Sequence, residues 1–304
     1  MSIRYDGRVA IVTGAGNGLG RSHALGLSSR GAKVLVNDLG GAVDGTGVSD
    51  AARMVVEEIT AAGGQAIANG ADVSKIDEVK EMVAQATTEW GGVDILVNNA
   101  GILRDKTFAK MTMDDFRRVV DVHLMGSVYC TKAVWHDMKE KGYGRIVMTT
   151  SSSGLYGNFG QANYGAAKMA VVGLMNTLVM EGEKYNIKVN CLAPAAGTRM
   201  LEGLMSEENS KLMTPEAVTA GLLTLCDDEA PNRTILCAGG GGFARTHIYE
   251  TNGVYLPSNA QTPENVRARM NVINDSRDEK LFVGGYQQAE KFLEMAKGIV
   301  TTKN

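Results

Sequence analysis

The sequence predicts an α/β protein built on a doubly wound parallel sheet. Three observations carry that reading. Short apolar runs alternate with longer helical patterns, the runs are rich in Val, Ile and Leu at consecutive positions, and a glycine-rich turn joins the first run to the first helical segment. Continuous apolar runs suit strands buried on both faces, as in a parallel sheet covered by helices. Strands separated by helix-length stretches form βαβ units, whose right-handed crossovers bring the strand ends to one edge of the sheet. Ligands bind at that edge.

The runs are Val9–Thr13, Lys33–Asn37, Gln65–Ala68, Ile95–Asn98, Arg145–Thr149, Lys188–Leu192 and Arg233–Ala238, so the sheet is expected to have seven strands. Gly, Asn, Asp or Pro bounds them, and these residues punctuate secondary structure. The helical patterns between them cover Leu19–Ser29, Ser49–Ala62, Lys75–Glu89, Met113–Lys141, Tyr164–Tyr185 and Pro215–Asp227. After about Thr246 the chain becomes more polar and carries Pro257 and Pro263, two of its five prolines. Two further helical patterns, near Pro263–Asn274 and Gly285–Lys297, contain apolar residues. The expected organisation is one main domain over residues 1–245 and a helical C-terminal extension over 246–304, packed on it rather than disordered.

Composition narrows the function classes. With 304 residues, 44% hydrophobic and 21% charged, the chain can bury a sizeable core. A formal charge of −3 gives no general attraction to nucleic acid. Cys130, Cys191, Cys226 and Cys237 form no CxxC pair, and His23, His123, His136 and His247 are far apart without HExxH spacing. No metal site is expected, and the cysteines read as reduced residues of a cytoplasmic protein. The apolar run VAIV before the glycine turn is too short for a signal peptide or a membrane span, so no membrane insertion is expected. The final TTKN is not a recognised address.

The turn Thr13-Gly14-Ala15-Gly16-Asn17-Gly18-Leu19-Gly20 lies between a strand and a helix. Glycines there let the backbone approach a pyrophosphate, and the helix N-terminus offers free N–H groups and the positive end of its dipole. Glycine spacing alone is weak; the flanking strand and helix make this a dinucleotide site of Rossmann type. The second strand ends in Asp38, 24 residues after Gly14. Its carboxylate suits the adenosine ribose hydroxyls and would repel a 2′-phosphate, with no Arg or Lys beside it to compensate, which favours NAD over NADP. A turn aspartate before Leu-Gly-Gly is the plainer alternative. The loop Gly40–Gly47 is expected along the adenosine side. Asp72-Val73 and Asn98-Asn99-Ala100-Gly101 follow the third and fourth strands. Each pair of ends could be a cap or turn, but the ligand-binding edge suits them to the adenine and the nicotinamide ribose.

Residues 149–168, TTSSSGLYGNFGQANYGAAK, hold three consecutive serines, two tyrosines and a lysine. Tyr164 and Lys168 are four apart at a helix start and share a face, whereas Tyr156 has no basic residue at helical spacing. A free phenol titrates near 10 and is a poor base at neutral pH; lowering it by about three units takes roughly 4 kcal/mol of phenolate stabilisation. A neighbouring ammonium and an oxidised nicotinamide can supply that, so Tyr164 can take a proton from an alcohol as hydride leaves the same carbon. Alone, a YxxxK pattern is more often a solvated helix face.

The pattern is not alone. TGxxxGxG at Thr13–Gly20, NNAG at Asn98–Gly101, a serine thirteen residues before YxxxK, and a Pro and Thr after the sixth strand resemble the short-chain dehydrogenase/reductase family over about residues 5–245. The resemblance implies that Ser151 is the catalytic serine, hydrogen-bonding the reacting oxygen. It implies that Lys168 also binds the nicotinamide ribose, that Asp72 and Val73 flank the adenine, that Asn98 lies beside the cofactor, and that Thr198 holds the carboxamide. Two departures stand out. His123 occupies the position of an asparagine that completes a proton relay, and Pro194-Ala195 replaces Pro-Gly. His123 could carry a proton itself or be a core histidine.

VNDLGG, NNAGILRD, YGRIVMTTSSSGLYGNFGQANY, the histidine and TPENVRARMNVIND at Thr262–Asp275 narrow the resemblance to one subgroup. That subgroup is the (3R)-hydroxyacyl-CoA dehydrogenase unit of peroxisomal multifunctional enzymes of type 2, also called 17β-hydroxysteroid dehydrogenase type 4, and the resemblance implies a stand-alone bacterial version. The implied reaction is NAD-dependent oxidation of (3R)-3-hydroxyacyl-CoA, of fatty acyl or sterol side-chain type, to 3-oxoacyl-CoA. A 17β-hydroxysteroid or other secondary-alcohol dehydrogenase that uses no CoA ester is the alternative. Leu201–Leu212 and the chain after Thr246 are expected to form much of the acyl pocket. The family also implies a homodimer or homotetramer through the fourth and fifth helices.

Overall fold

The computed structural model describes residues 2–45, 49–196 and 207–298. The chain divides into two compact units, Met1–Arg245 and Thr246–Asn304. The first unit holds β1 (Val9–Thr13), α1 (Gly18–Ser28), β2 (Lys33–Asn37), α2 (Ala51–Ala61), β3 (Gln65–Asn69), α3 (Ile76–Trp90) and β4 (Ile95–Asn98). It continues with α4 (Met113–Val120), α5 (Gly126–Lys141), β5 (Gly144–Thr149), α6 (Ser152–Tyr156), α7 (Ala162–Gly182), β6 (Ile187–Pro194), α8 (Glu207–Leu212), α9 (Pro215–Cys226) and β7 (Ile235–Gly239).

The strand order is β3-β2-β1-β4-β5-β6-β7-β8, and the pairs from β3 through β7 are parallel. The order reverses between β1 and β4, which is where a doubly wound sheet opens its ligand crevice. All seven expected strands are present, and an eighth, β8 (Gly242–Thr246), joins the edge. Only Gly240 and Gly241, both at positive φ, separate it from β7, so the two form a tight hairpin. An exposed polar edge strand has no continuous apolar run, so the seven-strand expectation missed it.

Each strand splits its side chains between two layers, as period two requires. Ile11, Leu35, Leu96, Ile146 and Met148 face one core with Met82, Val134, Met138, Val171 and Met175 of α3, α5 and α7. Ala10, Val12, Val34, Val36 and Val97 face the other, with Leu27, Val55, Ile59, Val218 and Leu222 of α1, α2 and α9. Burial on both faces explains why these strands read as apolar throughout. Arg145 on β5 is a buried charge among them, with its guanidinium on the carbonyls of Gly144, Asn186, Asp227 and Asp228. Those acceptors satisfy a charge that would otherwise be costly to bury.

The long helical pattern Met113–Lys141 is interrupted. A wide π-turn over Asp121–Met125 links α4 to α5. Such turns add a residue to the helix and re-aim the side chains around it. His123 is at its centre.

The second unit holds β9 (Tyr249–Glu250), α10 (Pro263–Ala268), α11 (Met270–Ile273), β10 (Lys280–Leu281) and α12 (Tyr286–Ala296). β9 and β10 pair antiparallel. Lys291 of α12 is buried, donating to the Glu250 carboxylate and to the Thr251 carbonyl. Thr198 and residues 201–206 lie outside the described residues.

Candidate active site

The glycine turn is shaped by close approach. Gly14 has φ +61°, and a Cβ there would stand 2.7 Å from Ala100 Cα. A Cβ on Gly20 would stand 2.1 Å from the Gly14 carbonyl oxygen. The buried Thr13 hydroxyl accepts from the Asn99 and Ala100 N–H groups at 3.0 and 3.1 Å. The Asn99 amide donates to the carbonyls of Thr13 and Gly14, both at 3.0 Å. Asn99 therefore builds the turn, with its amide hydrogen-bonded inside the chain, rather than standing free for a ligand. Asn17 caps α1 without a side-chain hydrogen bond, which leaves the first-turn N–H groups of Gly18, Leu19 and Gly20 for an anion.

Asp38 is clamped at the end of β2. Its carboxylate accepts from Gly16 N–H and Gly40 N–H, each at 2.7 Å. A Cβ on Gly16 would fall 2.8 Å from an Asp38 oxygen and 2.6 Å from Ala51 Cβ. Bare backbone, an uncapped helix start and an oriented carboxylate together fit a nicotinamide dinucleotide.

The next strand ends are busier than expected. Asp72 is buried and accepts from the Ser74 hydroxyl and N–H and from the Arg118 guanidinium. Burial pushes its carboxyl up, but these donors more than offset it and hold the group below the ordinary range. Val73 is buried against Gly126, where a Cβ would meet it at 2.8 Å. Asn98 donates to the Thr131 hydroxyl at 3.2 Å, and its buried Oδ1 has no partner among the described residues.

Ser151, at the end of β5, is the N-cap of α6 and accepts from Ser153 N–H at 3.1 Å. Its hydroxyl is close enough to the Tyr164 phenol to favour the ionised form of that phenol. Tyr164 and Lys168 lie one turn apart on α7, with the Lys168 ammonium 5.5 Å from the Tyr164 ring centroid. Lys168 is buried and donates to the Thr149 carbonyl at 2.6 Å, and Thr150 Oγ1 donates to the Lys168 carbonyl at 2.6 Å. A Cβ on Gly154 would stand 2.8 Å from Lys168 Cβ, so α6 can lie close on α7 only with glycine there. Tyr156 ends α6 at 70% exposure and takes no part in this cluster. The serine and tyrosine of the cluster are Ser151 and Tyr164.

His123 joins them. Its ring stands edge-on to Tyr164 with centroids 5.1 Å apart. Nε2 lies 2.8 Å from the Ile102 carbonyl oxygen and 3.1 Å from the Ile102 nitrogen, and a proton on Nε2 selects the carbonyl. Nδ1 is buried without a partner among the described residues. Gly101 makes room, since a Cβ there would be 2.3 Å from His123 Cε1.

Burial dominates the electrostatics. It pushes the Lys168 ammonium down to about 7. It raises the Tyr164 phenol although the Ser151 hydroxyl opposes the rise, so in the protein alone the phenol is not activated. Burial and the Lys168 charge push His123 well below its ordinary value. Sequence reasoning missed Asn163 and Arg104. Asn163 is buried, accepts from Tyr164 N–H at 2.8 Å and donates to the Arg104 carbonyl at 3.1 Å.

The fold and this cluster define an oxidoreductase, and the chain belongs to the short-chain dehydrogenase/reductase family: the short chain dehydrogenase profile matches residues 8–209. It is 46% identical over 276 residues to a Mycobacterium tuberculosis protein named as a short-chain type dehydrogenase/reductase, Rv0148, covering 90% of this chain and 96% of that one. It is 45% identical over 277 residues to mouse peroxisomal multifunctional enzyme type 2, covering 90% of this chain but 37% of the mouse enzyme. Full-length peroxisomal multifunctional enzyme type 2 of Drosophila melanogaster superposes with a TM-score of 0.81 at 36% identity, over 97% of this chain and 51% of that one. A 7α-hydroxysteroid dehydrogenase complexed with NADH and 7-oxo glycochenodeoxycholic acid gives a TM-score of 0.71 at 33% identity, over 79% of this chain and 95% of that one. The chain thus spans about half the length, or less, of the multifunctional enzymes of mouse and fly.

Proposed function

We propose that the protein oxidises a (3R)-3-hydroxyacyl-CoA to the 3-oxoacyl-CoA with NAD. The observation that carries the chemistry is the Ser151–Tyr164–Lys168 cluster, in which Ser151 and Lys168 are buried and Tyr164 is partly buried. Tyr164 takes the hydroxyl proton, Ser151 hydrogen-bonds the reacting oxygen, and Lys168 supplies positive charge behind the phenol. His123 stays neutral and fixes the Ile102 backbone next to Tyr164. A bound oxidised nicotinamide would supply the hydride acceptor for the carbon that bears the hydroxyl.

Gly14, Gly16, Asn17, Gly18, Leu19 and Gly20 hold the pyrophosphate, and Asp38 the adenosine ribose. Asp72, Val73, Asn98, Ala100, Gly101 and Thr198 complete the binding set, with Asn99 acting through the turn it builds. Asp38 supports NAD, because its clamped carboxylate leaves no room for a 2′-phosphate charge. The acyl-CoA class is supported by similarity to multifunctional enzymes that extends well past the family profile. The bile-acid ligand of the similar 7α-hydroxysteroid dehydrogenase favours the second reading, a steroid alcohol as substrate. Among the described residues no helix is long and apolar enough to cross a membrane. The free cysteines support a cytoplasmic location.

The test is reduced-cofactor formation with NAD⁺ or NADP⁺ from (3R)- and (3S)-3-hydroxyacyl-CoA and from a 17β-hydroxysteroid. The expected result is turnover of the (3R) ester with NAD⁺ at a much higher kcat/KM than any other pairing. Turnover of the free steroid alone would reject the acyl-CoA reading, and preference for NADP⁺ would reject the role of Asp38.

A further inference from the structure

The loop that leaves β2 does not stay on the adenosine side. Gly40 has φ +78°, and a Cβ there would be 2.2 Å from Ser49 N, so the two ends of the loop are pinched together. Between them residues 41–45 reach the segment after β4. Leu103 N–H donates to the Val43 carbonyl at 2.9 Å. The Arg104 guanidinium donates through Nε to the Asp44 carbonyl at 3.2 Å. Gly45, at φ +84°, faces the Ile102 side chain, which a Cβ would meet at 3.2 Å. In the sheet, β1 lies between β2 and β4. Adjacent strands are about 4.8 Å apart, so a loop from the end of β2 that touches residues 102–104 crosses roughly 10 Å, over the end of β1. The glycine turn occupies that end.

Arg104 connects this crossing to the chemistry. Its side chain holds the Asp44 carbonyl and, through Nη1, Asp115 of α4 at 3.0 Å. Its own carbonyl accepts from Asn163, whose side chain accepts from Tyr164 N–H. Ile102, two residues before it, is held by His123.

We propose that Arg104 is a positioning residue that pins residues 41–45 as a strap across the dinucleotide groove, so that cofactor release requires the strap to unpin. The proposal rests on the reading that this groove binds a nicotinamide dinucleotide. One end of the strap sits at the clamped Asp38 and the other on residues 102–104, whose Arg104 carbonyl is held by Asn163 next to Tyr164, so the strap links the adenosine end of the groove to the reacting end.

Arg104 makes two separate contacts, and two variants divide them. In Arg104→Lys a single ammonium can pair with the Asp115 carboxylate but cannot also supply the planar fork that reaches Asp44. Asp115→Asn removes the ion pair and leaves the Nε contact to the strap. The measurement is NADH release from the full-length protein, followed by stopped-flow fluorescence, with thermal melting as a check of folding. Loss of one exposed hydrogen bond predicts about fivefold faster release from Arg104→Lys. Asp115→Asn should stay within about twofold of the wild type. Equal acceleration in both variants would assign Arg104 to the stability of α4, and no acceleration in Arg104→Lys would remove the strap; either overturns the proposal. If Arg104→Lys does not fold, Gly45→Ala, which strains the strap from its own side, is read the same way. A wild-type protein that binds no NADH would instead reject the cofactor reading, and the strap with it.

Discussion

Tyr164 sets the residue-scale problem. A buried phenol without a cation in direct contact is harder to ionise than one in water, and burial raises Tyr164 in the protein alone. Burial pushes the Lys168 ammonium down to about 7 as well, which weakens its support for a phenolate. The positive charge of an oxidised nicotinamide then becomes the condition for ionising Tyr164 rather than an accessory to it. Alcohol oxidation needs the deprotonated base, so its rate falls as pH drops through the apparent pKa of Tyr164 in the cofactor complex. That apparent pKa should lie below the phenol titration of the free protein. Burial and the Lys168 charge hold His123 well below its ordinary range, which favours its neutral ring. His123→Asn should therefore lower kcat but leave the position of the acid limb unchanged. A pH profile of kcat for both proteins checks this, and a limb that moves with the substitution would make His123 a titrating relay group. The pairing of Tyr164 with Lys168 was legible in helical spacing, and the family resemblance picked out Ser151. The Arg104–Asn163 contact was not, because the two residues are 59 positions apart and neither belongs to a spacing rule.

At the element scale, strands were the most legible feature. β1, β2 and β4 occupy the residues that their apolar runs predict, because double-sided burial writes itself into consecutive residues. Helix interruptions leave no such mark. The π-turn at Asp121–Met125 keeps the apolar periodicity on both sides while turning His123 toward Tyr164. The edge strand β8 and the crossing of residues 41–45 were invisible for a related reason: both are fixed by glycine conformation and backbone hydrogen bonds rather than by apolar pattern. The packing of the π-turn against the loop after β4 is tight at one point. In Gly101→Ala the new methyl would meet His123 Cε1 at 2.3 Å. Overpacking of this kind typically costs about 1–3 kcal/mol. The expected outcome is a lower Tm together with a reduced kcat, measured by thermal melting and steady-state turnover. An unchanged Tm and kcat would mean that the ring can move aside freely and is not a fixed part of the site.

At the scale of the whole molecule, α7 carries an exposed face. Met169 and Met180 are exposed, and a Cβ added to Gly173 between them meets nothing within 4 Å. Residues at positions 169, 173 and 180 share a helical face. A glycine flanked by exposed methionines suits close approach of a helix from a second copy, in line with the homodimer or homotetramer that the family resemblance implies. Gly173→Leu should shift the protein toward smaller species in sedimentation or light scattering, while an unchanged mass would place the contact between copies elsewhere. The doubly wound organisation and its ligand edge were legible from the alternation of elements alone. The width of the substrate pocket was not, because no spacing rule encodes it.

The central claim is that Tyr164 performs proton transfer in a site that binds its cofactor independently of that step. The most direct measurement pairs NADH affinity with single-turnover oxidation in Tyr164→Phe. The predicted result is an affinity within a few-fold of the wild type and a chemical step slower by about 10²–10⁴, the usual contribution of a positioned general base. An undiminished chemical step in a protein that still binds NADH would contradict the account.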